Sequence, residues 1–295
     1  MPQFFASPLV GEAATRRCRG WGAAMTAWIA NARMYSVAPA AAAAWRGLFD
    51  LVAMRSGVAL EVIEHRFPAT LESLWERDDL GCAFMCGWPY ATLYATHRLV
   101  AAPVPAPPRY GGRPVYFTDF VVRADAPYRT LADTFGRRFA YTLESSHSGW
   151  NAPRYHLARY RSQARPTLFG AIVGPFFTPR RVLNAVIDGK ADVAPLDGYA
   201  LDLLRRHAPE LVARVRVIES SDAAPIPPIV ATPMADRAIC ARLQATFIAL
   251  RADPKAKPFL EDLLLGGFVG VTPADYALTR ERAEAAEAAG YSRIV

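Results

Sequence analysis

Lysine is nearly missing from this chain: of its 34 basic residues only Lys190, Lys255 and Lys257 are lysines, and the rest are arginines scattered along the sequence. The densest basic clusters are only pairs, such as Arg180-Arg181 and Arg205-Arg206. A net charge of +7 without a basic stripe interleaved with aromatics does not make a nucleic-acid surface, and nucleic acid is not expected as a partner. Together with the many alanines, the arginine bias reads as the mark of a GC-rich genome. Long apolar runs are lacking too, since no segment reaches the roughly 18 consecutive apolar residues of a membrane span. Cysteine is scarce. The four thiols are Cys18, Cys82, Cys86 and Cys240, and the one close pair, in GCAFMCG, has no second ligand pair with which to hold zinc. They read as small core hydrophobes, and neither a metal nor a cofactor is expected. The histidines (His65, His97, His147, His156, His207) are dispersed. No H-E-x-x-H, G-x-S-x-G or Walker-type glycine loop occurs, which argues against a hydrolase.

What is present is ample apolar material: 52% of 295 residues are hydrophobic and 21% charged, enough for one large domain or two intermingled lobes. Residues 1–24 have no helical or strand period and lack the charged start and apolar run of a secretory signal. They read as an extension outside the fold, with Met25 as initiator. From residue 26 the elements alternate. A strand ending near Tyr35 precedes an alanine-rich helix opened by Pro39 and closed by Gly57. An alternating strand (58–66), a short helix, the buried strand GCAFMC and a helix at Gly87-Trp88-Pro89 follow. This βαβα order implies mainly parallel sheets covered by helices.

The strand VYFTDFVVR (115–123) opens a second α/β series. It holds the loop ESSHSG, a helix capped by Thr178-Pro179, the strand ADVAPLD and the helix GYALDLLRRH. A proline-rich stretch then leads back to further helices, the last opened by Thr272-Pro273-Ala274-Asp275, a cap with an acid at its third position. Such a chain crosses twice between lobes, and the crossings are expected near residues 123 and 222. Residues 25–123 with 222–295 then form lobe 1 and residues 124–221 lobe 2, joined by a two-strand hinge with the cleft at the carboxyl ends of the strands.

The stretches GRRFAYTLESSHSGWNAPRYHL, TPRRVLNAVIDGKADVAPLDGYALDLL, PIPPIVATP and LLLGGFVGVTPADYALTRERAEAAEAAGY resemble the phosphate, phosphite and phosphonate substrate-binding proteins of bacterial ABC transporters. The resemblance runs from about residue 28 to 291. It implies the two-lobed type 2 periplasmic-binding fold, a small oxyanion as solute, an ABC permease as partner, no enzymatic activity and a periplasmic location. A monomer is expected.

Three places carry the candidate site. Ser145, Ser146, His147 and Ser148 leave a strand and enter a helix, where free N–H groups, the dipole and hydroxyls can hold an anion. Alone, such a loop is more often a plain helix cap; the resemblance makes it the oxyanion grip. Trp88 and Tyr90, at a strand-to-helix turn, together with Tyr35, offer an aromatic wall, although both turn residues could equally pack against neighbouring loops. Asp197 ends the strand ADVAPLD, with Tyr199 two residues on. A carboxylate beside an anion repels it unless a proton or an ammonium intervenes, so an aminophosphonate would satisfy both ends. His147 between two serines and Trp150 after the glycine depart from the commoner Ser-Thr-Ser-Gly loop and reshape the pocket. His147 could also charge on the bound anion and link affinity to pH, although the helix terminus favours its neutral form. Two other readings share the fold: an enzyme like the thiamine pyrimidine synthase, whose cysteine cluster and pyridoxal-bearing lysine find no match here, and a cytoplasmic ligand sensor, for which no output domain is present.

Overall fold

The structure, a computed structural model, describes residues 27–295. The expected extension and Met25 therefore lie outside the described residues. The first half alternates strands and helices: β1 (Trp28–Asn31), α1 (Pro39–Ser56), β2 (Leu60–Val62), α2 (Glu72–Trp75), β3 (Leu80–Phe84), α3 (Gly87–Thr92) and β4 (Arg98–Pro105). The middle continues with β5 (Val115–Tyr116), β6 (Thr118–Arg123), β7 (Arg138–Ala140), α4 (Ala152–Ala158), β8 (Ala171–Val173), α5 (Pro179–Ile187), β9 (Val193–Asp197), α6 (Gly198–His207), α7 (Pro209–Val212) and β10 (Val215–Ser220). The chain returns through β11 (Ala224–Pro225), β12 (Ile229–Ala231), α8 (Arg237–Ala249), α9 (Lys257–Asp262), β13 (Leu265–Val269) and α10 (Ala277–Ala288).

Two sheets result. One has the order β13-β4-β12-β3-β1-β2, in which β1 pairs in parallel with β2 and β3, and β12 and β13 run against their neighbours. The other has the order β10-β6-β9-β7-β8, with β7 parallel to β8 and β9, and β6 opposed to β9 and β10. Each is mixed, yet β1 to β4 share one direction, as do β7, β8, β9 and β10. Helices cover both sheets, and no helix among the described residues is long and apolar enough to cross a membrane.

Local sequence explains the elements that position the cleft. α1 begins at Pro39, whose ring fixes a helical φ, and ends at Gly57, which takes the left-handed conformation (φ 65°) and donates its N–H to Ala53. Its Trp45, Leu48, Phe49 and Val52 are buried in the first lobe's core. β3 is buried at every position, which is why its run is continuously apolar rather than alternating. The Thr272–Asp275 capping box forms as the sequence implies.

The lobes join at a two-stranded antiparallel ribbon, β5 with β11, in which Tyr116 faces Ala224 and Val115 faces Pro225. The first crossing thus falls earlier than residue 123. Thr118–Arg123, expected in lobe 1, pairs instead within the second sheet, because its alternate residues Phe120 and Val122 bury in that lobe's core. The C-terminus departs from expectation as well. Tyr291 and Ile294 bury in the second lobe's core, and the Val295 carbonyl accepts hydrogen bonds from the Leu168 and Phe169 N–H groups. Residues 222–295 therefore do not belong wholly to lobe 1: α10 packs on α3 of one lobe and α4 of the other.

Candidate solute-binding site

A cavity of about 80 Å³ lies between the lobes, lined from the first by Arg33, Met34, Leu71, Trp75 and Cys86, and from the second by the 142–149 loop, Phe177 to Pro179, Pro195 and Asp197. The lobes touch around it. The Ser145 hydroxyl donates to Glu72 Oε1 at 3.2 Å, the Tyr35 hydroxyl to Asp197 Oδ2 at 3.2 Å, and the rings of Phe67 and Phe177 stand 5.0 Å apart at the mouth. This is a closed arrangement.

Two helix starts open onto the cavity. Ser146 caps the first, its hydroxyl accepting from the Gly149 N–H at 3.0 Å; a π-helical turn over His147–Asn151 then runs into α4. Thr178 caps α5, accepting from the Arg181 N–H. Their dipoles favour an anion between them. The Thr142 side chain is buried, and its hydroxyl has no partner among the described residues. A buried hydroxyl without a partner costs stability unless a solute or water reaches it. Gly149 is needed here for space: a Cβ would lie 1.8 Å from Thr142 Oγ1.

Arg33, two residues beyond the end of β1, is the one basic residue among the described residues that lines this cavity. One guanidinium nitrogen donates to the Ala69 carbonyl, and burial lowers its pKa while the charge of Glu72 opposes that shift. Asp197 ends β9 and caps α6 by accepting from the Ala200 N–H at 2.9 Å. Burial pushes its carboxyl up to about 7, against the hydrogen bonds from Ala200 and Tyr35 and with the help of Asp119. The acid therefore keeps its proton below about pH 7, where a proton stands between it and an anion, and ionises above that. Burial also pushes the Cys86 thiol up to about 12, which leaves it inert.

Of the residues singled out in the sequence, the structure brings Ser145, Ser146, Ser148 and Asp197 to the cavity, with Tyr35 directly behind Asp197. The other four stand elsewhere. Tyr199 is buried in the first lobe's core and donates to the Leu263 carbonyl at 2.6 Å. Tyr90 packs edge-on against Tyr276, because Gly87 brings the start of α3 against that ring. Trp88 packs on the second lobe's core, with the Arg154 guanidinium 6.0 Å from its ring. His147 is fully buried, Nδ1 accepting from the Asn151 amide at 3.1 Å, and burial with the charge of Arg282 pushes its pKa down to about 3. It stays neutral across the physiological range. We expect His147→Gln to leave the pH dependence of solute affinity unchanged, as isothermal titration from pH 5.5 to 7.5 would report; a flattened profile in the variant would put the ring at the solute after all.

Arg33, Trp75, Thr142 and Thr178 escaped sequence reasoning. Thr178 carried a readable signal as a helix cap, and Arg33 a weaker one, its position just past a parallel strand's carboxyl end.

Two α/β lobes on a two-strand ribbon, closed over a cavity lined by hydroxyls, helix starts and one arginine, define a binding protein of the two-lobed periplasmic type. Residues 36–276 match the family described as the periplasmic substrate-binding protein of the phosphonate ABC transporter, and the chain belongs to that family. A binding-protein component of an ABC phosphonate transporter from Pseudomonas aeruginosa superposes with a TM-score of 0.74 at 17% identity, covering 90% of this chain and 88% of its own. PhnD1 of Prochlorococcus marinus, solved with methylphosphonate, gives 0.72 at 14% identity over 88% and 97% of the two chains. A Xanthomonas citri protein solved with ATP gives 0.62 at 20% identity over 90% and 98%. No curated protein matches. The family serves transport rather than catalysis and is periplasmic, working with a permease.

Proposed function

We propose that this chain captures a small phosphonate in the inter-lobe cavity, performs no chemistry on it, and delivers it in the periplasm to an ABC permease as a monomer. The observation that carries this reading is the convergence on one inter-lobe cavity of Ser146, Ser148, the unpartnered Thr142 hydroxyl, the Thr178 helix cap and Arg33. Together they offer donors and positive charge for three oxyanion oxygens. Met34, Leu71, Trp75 and Phe177 supply an apolar end for the carbon substituent that distinguishes a phosphonate from phosphate. Isothermal titration with methylphosphonate should show saturable binding, and Ser148→Ala should weaken it about tenfold or more, the cost of one hydrogen bond to a charged group. Unchanged affinity in the variant would remove the loop from the site.

Asp197 then donates its proton to a solute oxygen rather than pairing with an ammonium. Because its pKa in the folded chain lies above the unfolded value, the stability contributed by the proton is complete below about pH 4 and is lost as pH rises through about 7. Binding follows the same sign: above pH 7 the ionised acid repels the anion. Asp197→Asn keeps a donor at every pH. The ratio of wild-type to variant dissociation constants for methylphosphonate should therefore rise from pH 6 to 8, whereas a constant ratio would make Asp197 structural. Under the aminophosphonate alternative, wild-type affinity for 2-aminoethylphosphonate should instead improve over this interval.

A further inference from the structure

The inner cavity opens into a much larger groove of about 840 Å³, and the two share Arg33, Met34, Thr178 and Pro179. A small phosphonate fills only the inner part. The groove is rich in guanidinium groups: Arg46 from α1, Arg66 from the segment after β2 and Arg180 from the first turn of α5 join Arg33 along its walls. Against these stands Glu64, which is already paired with Arg66 at 2.7 Å. Arg33, Arg46 and Arg180 form no ion pair with a carboxylate among the described residues, although Arg46 donates to the Val62 carbonyl.

Two further features point the same way. The eighteen-residue α1 starts on this groove at Ala38 and Pro39, and no side chain caps it, so the N–H groups of its first turn and the positive end of its dipole are left to whatever lies there. Trp45 also lines the groove; it is 1% exposed, and its indole Nε1 has no partner among the described residues. Arg46 and Arg180, with no carboxylate partner among the described residues, stand around a space next to an oxyanion site and would repel the other guanidinium groups there unless a second anionic group sits among them.

We propose that the cleft is a two-part site in which the outer groove, through Arg46, Arg180 and the start of α1, holds a second anionic group of the same solute. The solutes that fit are those in which a phosphonate or phosphate is joined through a short link to another anion. This rests on the inner cavity being the oxyanion site, but the two ideas fail separately in one experiment.

Isothermal titration of methylphosphonate, phosphonoacetate and inorganic diphosphate against the wild type, R46Q/R180Q and R46K/R180K provides the test. Both arginines are exposed, so the variants should fold, which a melting curve verifies. The wild type should bind the two dianionic-headed probes at least about tenfold more tightly than methylphosphonate, with a steeper loss on adding salt. R46Q/R180Q should lose that advantage while binding methylphosphonate as the wild type does, and R46K/R180K should keep most of it. If phosphonoacetate and diphosphate bind no more tightly than methylphosphonate, or if R46Q/R180Q leaves them unchanged, the outer site is refuted while the inner one stands. Binding of diphosphate that depends on Arg46 and Arg180, without any binding of methylphosphonate, would support the groove and overturn the reading of the inner cavity as a phosphonate site.

Discussion

Gly149→Ala should abolish solute binding and lower the melting temperature by about 5 °C, the scale of about 1–3 kcal/mol for forcing a methyl into a packed site. The added Cβ would lie 1.8 Å from Thr142 Oγ1 and 3.0 Å from Ser146 Oγ. Neither neighbour can easily yield: Thr142 is buried and β-branched, and the Ser146 hydroxyl holds the Gly149 N–H. Relief must come from the loop itself, which would carry Ser146 and Ser148 away from the cavity. Adding Thr142→Ala should recover most of the melting temperature, because the closest atom is then gone. Binding should return only in part, since a hydroxyl lining the site is lost with it. Calorimetric melting and titration of the single and double variants check both statements, and a Gly149→Ala protein with wild-type affinity would show that the loop does not grip the solute.

Arg33→Gln should weaken methylphosphonate binding on the order of a hundredfold, as truncating one partner of a desolvated charge pair costs about 2–5 kcal/mol. Among the described residues Arg33 is the sole basic one lining the inner cavity, so no second cation of theirs compensates there. Burial already disfavours its charge in the free protein. The substitution should therefore leave the melting temperature of the unliganded protein unchanged or slightly raised, while removing most of the shift that the solute produces. A loss of affinity no larger than that of Ser148→Ala would mean that hydroxyls and helix starts, not the guanidinium, carry the anion's charge.

The alternation of strands and helices was legible because punctuation is local: Pro39 and Gly57 bound α1, Thr178 starts α5, and Asp197 ends β9 and begins α6. The same locality puts Ser146, Ser148 and Asp197 on the cavity wall, since the backbone of a strand-to-helix junction at a sheet's carboxyl edge faces the cleft. Side-chain direction at those junctions was not legible. In the π-helical turn, Ser146 and Ser148 face the cavity while His147 between them turns inward to Asn151. Trp88 and Tyr90 turn toward the second lobe's core and Tyr276, contacts made by segments far off in sequence. β1 ends at Asn31, four residues before Tyr35, so Arg33 and Met34 take the wall positions and Tyr35 lies behind Asp197. The hinge was misplaced for a related reason: VYFTDFVVR reads as one strand, and only pairing reveals that Val115–Tyr116 belongs to the ribbon and Thr118–Arg123 to the second sheet. β4 and β13 lack clear alternation, and β13 contains the pair Gly266-Gly267, so neither stood out.

The most direct test is a crystal structure of the full chain grown with saturating methylphosphonate. The account predicts density for one phosphonate between the lobes, its oxygens within hydrogen-bonding distance of Ser146 or Ser148, Thr142 and Arg33, one oxygen facing Asp197, and its methyl group toward Met34, Leu71 and Trp75. Density touching only one lobe, or lying outside this cavity while Thr142 and Arg33 remain without a solute contact, would contradict it.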